Sequence, residues 1–222
     1  MVMPGADVST NRRARAVVTI GLAVVAAVVV VMLVHRMTES RIAESEHERG
    51  NALLRSALGG IEADNDLLDD VIYVRDPDLL GTTAALPVHR ARSHGRPVAA
   101  LFESVAPDGY MGAIRLLIGI GTDGRVLGVR ALSHHETAGL GDRIDLRRSN
   151  WILSFEGRSL TNPAAPGWRV RKDGGEFDEF TGATVTPRAV VSAVHNTLLY
   201  FSMHRDEILT APPSPLAVRQ AH

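Results

Sequence analysis

The sequence predicts an α+β chain in which a single N-terminal transmembrane helix precedes one domain made of an antiparallel sheet and flanking helices. Three observations carry that prediction. An uncharged apolar run covers Ala16 to Val34, three short segments rich in branched residues follow one another between Pro97 and Ser133, and a helical stripe of apolar residues follows Thr186-Pro187. With 222 residues, the chain has room for one ordinary domain plus an accessory segment, and a two-domain enzyme does not fit.

The run from Ala16 to Val34 holds 19 positions without a charge. At ~1.5 Å per residue it spans roughly 28 Å, close to the hydrocarbon thickness of a bilayer. In lipid the backbone must satisfy its own hydrogen bonds, so a valine-rich run that makes a poor helix in water becomes helical there. A cleaved signal peptide with Arg12, Arg13 and Arg15 as its basic region is the alternative. The exit Met32-Leu33-Val34-His35-Arg36 lacks a small-x-small cleavage pattern, which favours an uncleaved anchor. Arg12, Arg13 and Arg15 sit tight against the helix, whereas Arg36, Arg41 and Arg49 are accompanied by Glu39, Glu44, Glu46 and Glu48. That balance places residues 1–15 in the cytoplasm and the domain outside.

Residues 35–60 read as a helical stalk, with Ile42, Ala43, Leu53, Leu54 and Leu58 among charges and Gly59-Gly60 as its stop. The domain is expected over residues 61–210. Within it, Arg75 to Arg96 carries Asp76-Pro77, Gly81, Pro87 and Gly95 with little periodicity and reads as irregular structure. Pro97–Ala106, Gly112–Ile120 and Arg125–Ser133 are separated by Pro107-Asp108-Gly109 and Thr122-Asp123-Gly124, as three consecutive antiparallel strands would be. In the second, Ile114, Leu116, Ile118 and Ile120 share one face at period two, and the other face starts with Arg115. Near the end, Thr186 is placed to cap a helix whose first position is Pro187 and which runs to about Arg205, its stripe formed by Val190, Val194, Leu198 and Phe201. Residues 211–222, rich in proline at their start, read as a disordered tail.

Composition narrows the chemistry. A formal net charge of -1 is unlike the basic footprint of a phosphate-binding nucleic-acid protein, so nucleic acid is not an expected partner. Cysteine is absent, which removes thiolate-held zinc, Cys-ligated iron–sulfur clusters and a cysteine nucleophile together. Redox chemistry would therefore require a bound organic cofactor. Lys172 is the one lysine in a chain whose other basic side chains are arginines.

Two stretches stand out. Asp178-Glu179-Phe180-Thr181-Gly182-Ala183-Thr184-Val185-Thr186 sets an acid, two small residues and three hydroxyls just before a helix start. Gly182 and Ala183 permit close approach to the backbone, and the free amides and dipole of the helix favour an anion beside Thr184 or Thr186. A plain threonine cap before Pro187 is the simpler reading of the same residues. The second stretch, His134-His135-Glu136-Thr137-Ala138-Gly139-Leu140-Gly141-Asp142, is a polar loop directly after the third strand. Adjacent histidines at a strand end point opposite ways and no third ligand is spaced to join them, so a solvated turn is preferred to a metal site, and no metal is expected.

The first stretch resembles the flavinylation motif of FMN-binding-domain proteins, Asp-x-x-(Ser/Thr)-Gly-Ala-(Thr/Ser). The second resembles the His-x-Glu-Thr-Pro-Gly-Leu-Gly loop of the G subunit of the Rnf electron-transport complex and of its cousin, the C subunit of the sodium-pumping NADH:quinone reductase. Ala138 replaces the usual proline, which removes some rigidity from the loop. The run Arg171 to Asp178, continued by Thr186 to Val191, is more similar to the Rnf member. The likeness covers the anchor and most of the chain, with its specific motifs between Gly109 and Val194.

The resemblance implies an FMN-binding domain whose Thr184 is esterified to the FMN phosphate by a separate Mg-dependent flavin transferase using FAD. It further implies a single-pass subunit of the bacterial inner membrane, with its domain on the periplasmic side. There it would work with the other subunits of a complex passing electrons between ferredoxin and NAD, coupled to ion translocation. Asp178, Thr181, Gly182 and Ala183 become the transferase's recognition turn, with Thr186 beside them. Glu136, Thr137, Gly139 and Leu140 become candidates for contacts to flavin ring or phosphate. Lys172, a compact cation twelve residues before the acceptor, is a further candidate or a chance surface lysine. Tyr110 is either a contact or a core residue. Two other classes stay open: a flavinylated membrane sensor of another pathway, and a tethered scaffold without a cofactor.

Overall fold

A computed structural model describes residues 21–22, 24–25, 27–33 and 46–214. The chain divides into two units, Met1–Arg49 and Gly50–His222. In the first, the described positions between 21 and 33 are helical, and apolar side chains such as Leu22, Val31 and Leu33 stand exposed. Much of the run 16–34 and all of the stalk before residue 46 lie outside the described residues. Among the described residues no helix is long and apolar enough to cross a membrane.

The second unit is built on a five-stranded antiparallel meander in the order β1-β2-β3-β4-β5, comprising Val71–Val74, Leu86–Ser93, Arg96–Ala106, Ile114–Gly121 and Val126–Ser133. Sequence and structure agree closely on β3, β4 and β5. In β4, Ile114, Leu116, Ile118 and Ile120 enter the main core together with Phe102 of β3 and Val129 of β5, while Leu117 joins a second cluster on the opposite face. Both faces of the sheet are thus covered. Helix α1, described over residues 46–56, brings Leu54, with Ala57 and Leu58 just beyond its end, onto Leu67, Ala91, Ala99, Leu101 and Leu117. Its close approach depends on Gly119, where an added Cβ would lie 2.0 Å from the Ala57 carbonyl oxygen.

The expectation of irregular structure over Arg75 to Arg96 is corrected: the segment contains the short helix α2 (Pro77–Leu80), capped by Asp76, and the whole of β2. Strand β2 escapes a periodicity test because its inward face carries Arg90. That side chain is fully buried, yet every polar group is occupied. Its Nε donates to Asp70 at 2.8 Å, Nη2 pairs with the same carboxylate, and Nη1 donates to the carbonyls of Ile208 (3.2 Å) and Ala211. Arg92 joins Asp70 from the other side. The last turn of helix α3 contains no basic residue, so Arg90 supplies from a neighbouring strand the cation that the helix's terminal carbonyls favour.

Helix α3 runs Val185–Thr210 and lays Val190, Val194, Leu198 and Phe201 on the inner face of the sheet. Its start differs from the expected one by two residues. Pro187 is the third helical position, where its missing N–H still removes no intrahelical bond, and Thr186 is inside the helix and buried. At the other end, residues 211–214 of the expected tail are held: Ala211 receives Arg90, and Ser214 N–H donates to the Val71 carbonyl at 2.7 Å. Residues 215–222 lie outside the described ones.

Between β5 and α3 the chain forms four 3-10 turns, Gly141–Ile144, Trp151–Phe155, Ala165–Gly167 and Arg171–Asp173. Their apolar filling is largely aromatic. Phe155 stacks on Phe177 at 4.8 Å, Trp168 lies 5.2 Å from Phe177, and Trp151 meets Phe155 and Phe180 edge-on at 5.3 and 5.1 Å.

Candidate cofactor-attachment site

The turn that precedes α3 is held from below by this aromatic group. Phe180 is buried, and Trp151 packs on it while donating Nε1–H to the Asp178 carbonyl at 2.7 Å. The chain then folds tightly. Ala183 N–H donates to the Phe180 carbonyl at 2.9 Å, a reversal that requires Gly182 at φ 84°, where a side chain would be strained. Thr181 and Gly182 stand exposed at the crest, and Thr184 is half-buried at the head of the helix.

Three hydroxyls are offered by the sequence, and the structure treats them differently. Thr186 is fully buried and donates to Glu136 Oε2 at 2.5 Å. It is therefore a tie to another loop, in place of the cap expected for it. Thr184 occupies the N-cap position with helical dihedrals, φ -74° and ψ -25°, and its side chain caps nothing. A threonine normally caps from extended backbone, and from these helical dihedrals the hydroxyl makes no bond to the first-turn amides, which leaves both hydroxyl and amides open to a ligand. The hydroxyls of Thr184 and Thr181 make no hydrogen bond among the described residues.

Glu136 is the hub that joins the two motifs. The residue is 7% exposed, and its second carboxylate oxygen, Oε1, accepts the Met111 N–H at 3.1 Å. One buried side chain thus holds the β3–β4 loop, the loop after β5 and the first turn of α3. Gly141 is compelled by the same contact, since a Cβ there would lie 2.6 Å from Glu136 Oε2. The loop is closed internally by the Thr137 carbonyl, which accepts from Leu140 (3.1 Å) and Gly141 (3.0 Å), and by Asp142 Oδ1, which accepts from Gly139 N–H at 2.8 Å. Leu140 reaches the acceptor turn: its Cδ2 lies 3.8 Å from where a Gly182 Cβ would stand.

Other candidates are placed as follows. Thr137 and Gly139 are on the loop, Gly139 exposed, and Asp178 is exposed and paired with Arg171 at 2.9 Å. Lys172 is exposed on the adjoining 3-10 turn; its backbone N–H donates to Glu179 Oε2 at 3.3 Å, so main chain and not ammonium links it to the acceptor segment. Tyr110 is 67% exposed and is not core; with Met111, Leu140 and Val185 it belongs to the exposed large apolar side chains of the loops that Glu136 ties together. His134 Nδ1 accepts the Glu136 N–H at 3.3 Å, and among the described residues no group of three or more suitable side chains is placed to hold a metal ion. A cleft of about 600 Å³ is lined by residues from Ala131 to Arg148, including His134, Glu136 and Asp142; Thr184 does not line it. In that cleft Arg147 holds the Asp145 carboxyl down at about 2.

Several contributing residues carried no sequence signal. Trp151 and Met111 act through a ring N–H and a backbone N–H, and Arg143, whose guanidinium lies 5.0 Å from the Phe180 ring centroid, is one arginine among many. Asp142 was within reach, because an acid closing a glycine-bearing loop is a recognisable turn-forming pattern.

Against known proteins, residues 109–199 match the FMN-binding domain family. The chain is 49% identical over 205 residues to the G subunit of the ion-translocating oxidoreductase complex of Pseudomonas aeruginosa, covering 91% of this chain and 95% of that one. It is 47% identical over 182 residues to the proteins of the same name from Shewanella amazonensis and Vibrio parahaemolyticus, covering 82% of this chain and 85% and 86% of theirs.

Proposed function

This chain belongs to the family of G subunits of ion-translocating oxidoreductase complexes, and from that membership and the site geometry we propose that its FMN is a phosphoester of Thr184, carried by a membrane-anchored electron-transfer subunit. The observation that carries the reading is the contrast among the hydroxyls. Thr186 is consumed and buried, whereas Thr184 is uncapping, partly accessible and set at a helix head whose first-turn amides and dipole favour a phosphate. The residues fit the group. The exposed apolar side chains Tyr110, Met111, Leu140 and Val185 offer a planar ring a surface near the attachment point.

Attachment is the work of another enzyme. The Thr184 oxygen bonds to the FMN phosphorus of FAD, the pyrophosphate bond breaks, AMP departs and the hydroxyl proton is lost. Asp178, Thr181, Gly182 and Ala183 form the exposed turn that a Mg-dependent transferase would recognise. Flavin accepts electrons singly or in pairs, so the bound group suits a relay, and the protein supplies placement and tuning. Thr137, Gly139, Leu140 and Lys172 are proposed to shape its surroundings, and Glu136 with Thr186 to position the helix head.

The apolar run 16–34 serves as the anchor in this reading, with the domain on the periplasmic side of the inner membrane. There a dissociated flavin would be diluted, and an ester converts binding into retention. The complex is proposed to pass electrons between ferredoxin and NAD with ion movement. Expression with a flavin transferase, denaturing electrophoresis and ultraviolet illumination test the attachment. A fluorescent band is expected in the wild type and is lost in Thr184→Ala; an unlabelled wild type would instead favour a scaffold without cofactor.

A further inference from the structure

We propose that Arg143 is the cation that receives the phosphate group on Thr184, a role that rests on Thr184 being the FMN acceptor. Arg143 lies on the 3-10 turn Gly141–Ile144, immediately after the loop that Glu136 clamps, and buried Ile144 beside it fixes the turn against the core. Its guanidinium carbon stands 5.0 Å from the centroid of Phe180, which anchors the acceptor turn and hydrogen-bonds through its carbonyl to Ala183, the residue before Thr184. The aromatic face thus parks a cation beside the attachment point.

What separates Arg143 from its neighbours is that its charge is uncommitted. Arg147 pairs with Asp145, Arg148 with Asp142, Arg171 with Asp178 and Arg188 with Asp173. Among the described residues Arg143 makes no ion pair. A guanidinium lying on a ring keeps its N–H edge free, and that planar fork matches the oxygens of a phosphodiester. Lys172 is the competing cation, yet it sits next to Asp173, whose carboxyl it helps hold below the ordinary carboxylate range after Arg188.

The test uses the full chain without flavin, a purified flavin transferase, FAD and Mg²⁺, with intact mass followed over time. Arg143→Gln is expected to load about 10- to 100-fold more slowly than wild type, the loss of one charge-assisted contact, with Arg143→Lys intermediate and Arg147→Gln, whose charge is already spent on Asp145, near wild type. In the loaded proteins, the ³¹P resonance of the phosphodiester should move in Arg143→Gln. Thermal melting of each variant controls for folding, which an exposed arginine should leave intact. Loading within twofold of wild type and an unmoved ³¹P resonance in Arg143→Gln would overturn the assignment, leaving a surface cation–ring contact only. Absence of flavin from the wild type, or normal loading of Thr184→Ala, would overturn the acceptor reading itself and this inference with it.

Discussion

Replacing Thr186 by valine keeps the shape of the side chain and removes only the hydroxyl that Glu136 Oε2 uses. Thr186 is fully buried and Glu136 nearly so, so water cannot replace the lost donor without opening the helix head. A hydrogen bond to a charged acceptor contributes about 1.5–3 kcal/mol, and stranding a buried carboxylate oxygen adds to the loss, so the substitution should cost about 2–3 kcal/mol. For a domain of this size, each kcal/mol shifts the melting temperature by roughly 2–4 °C, giving a fall of about 4–12 °C. Thr186→Ser, which retains the hydroxyl and loses one methyl, should cost about 1 kcal/mol. Urea unfolding followed by circular dichroism measures both. If Thr186→Val proves no less stable than Thr186→Ser, Glu136 does not clamp the head of α3, and the reasoning fails.

Three further outcomes are expected. Arg90→Leu leaves Asp70 buried with only Arg92 and strips two carbonyls at the end of α3 of their donor, so it should destabilise by about 3 kcal/mol; a change under about 1 kcal/mol in urea unfolding would show that the buried pair is not needed. Gly119→Ala drives a methyl into the Ala57 carbonyl and should loosen the end of α1 at a cost of about 2–3 kcal/mol, seen as faster proteolysis around residues 46–60; unchanged proteolysis would contradict the close approach. Burial holds His89 and His195 below the ordinary imidazole value of 6.5, so the unfolded chain takes up these protons first. Stability is then complete above about pH 6.5 and declines as pH falls through 6.5 toward the lower folded values, a slope that His89→Gln should flatten in urea midpoints.

Legibility in the sequence followed the physics of each element. Strands β3 to β5 announce themselves because branched residues alternate against a covered sheet, and turn residues punctuate them. Strand β1 has only four residues, and β2 places Arg90 where an apolar residue would mark the inner face; its compensation by Asp70 comes from elsewhere in the chain. The two motif loops were legible by resemblance, but their junction was not. Nothing in the spacing of Glu136 and Thr186, fifty residues apart, indicates that one hydrogen bond joins them. Proline at the third helical position displaced the expected cap for a related reason: the first turn tolerates it at several places, and burial decided which threonine became accessible.

The intact mass of the chain purified from membranes with its transferase present, followed by mapping of the modified peptide, tests the central claim most directly. The account predicts a gain of one esterified FMN, carried by the peptide containing Thr184 and absent from Thr184→Ala. An unmodified mass, or a flavin mapped to Thr181 or Thr186, would contradict it.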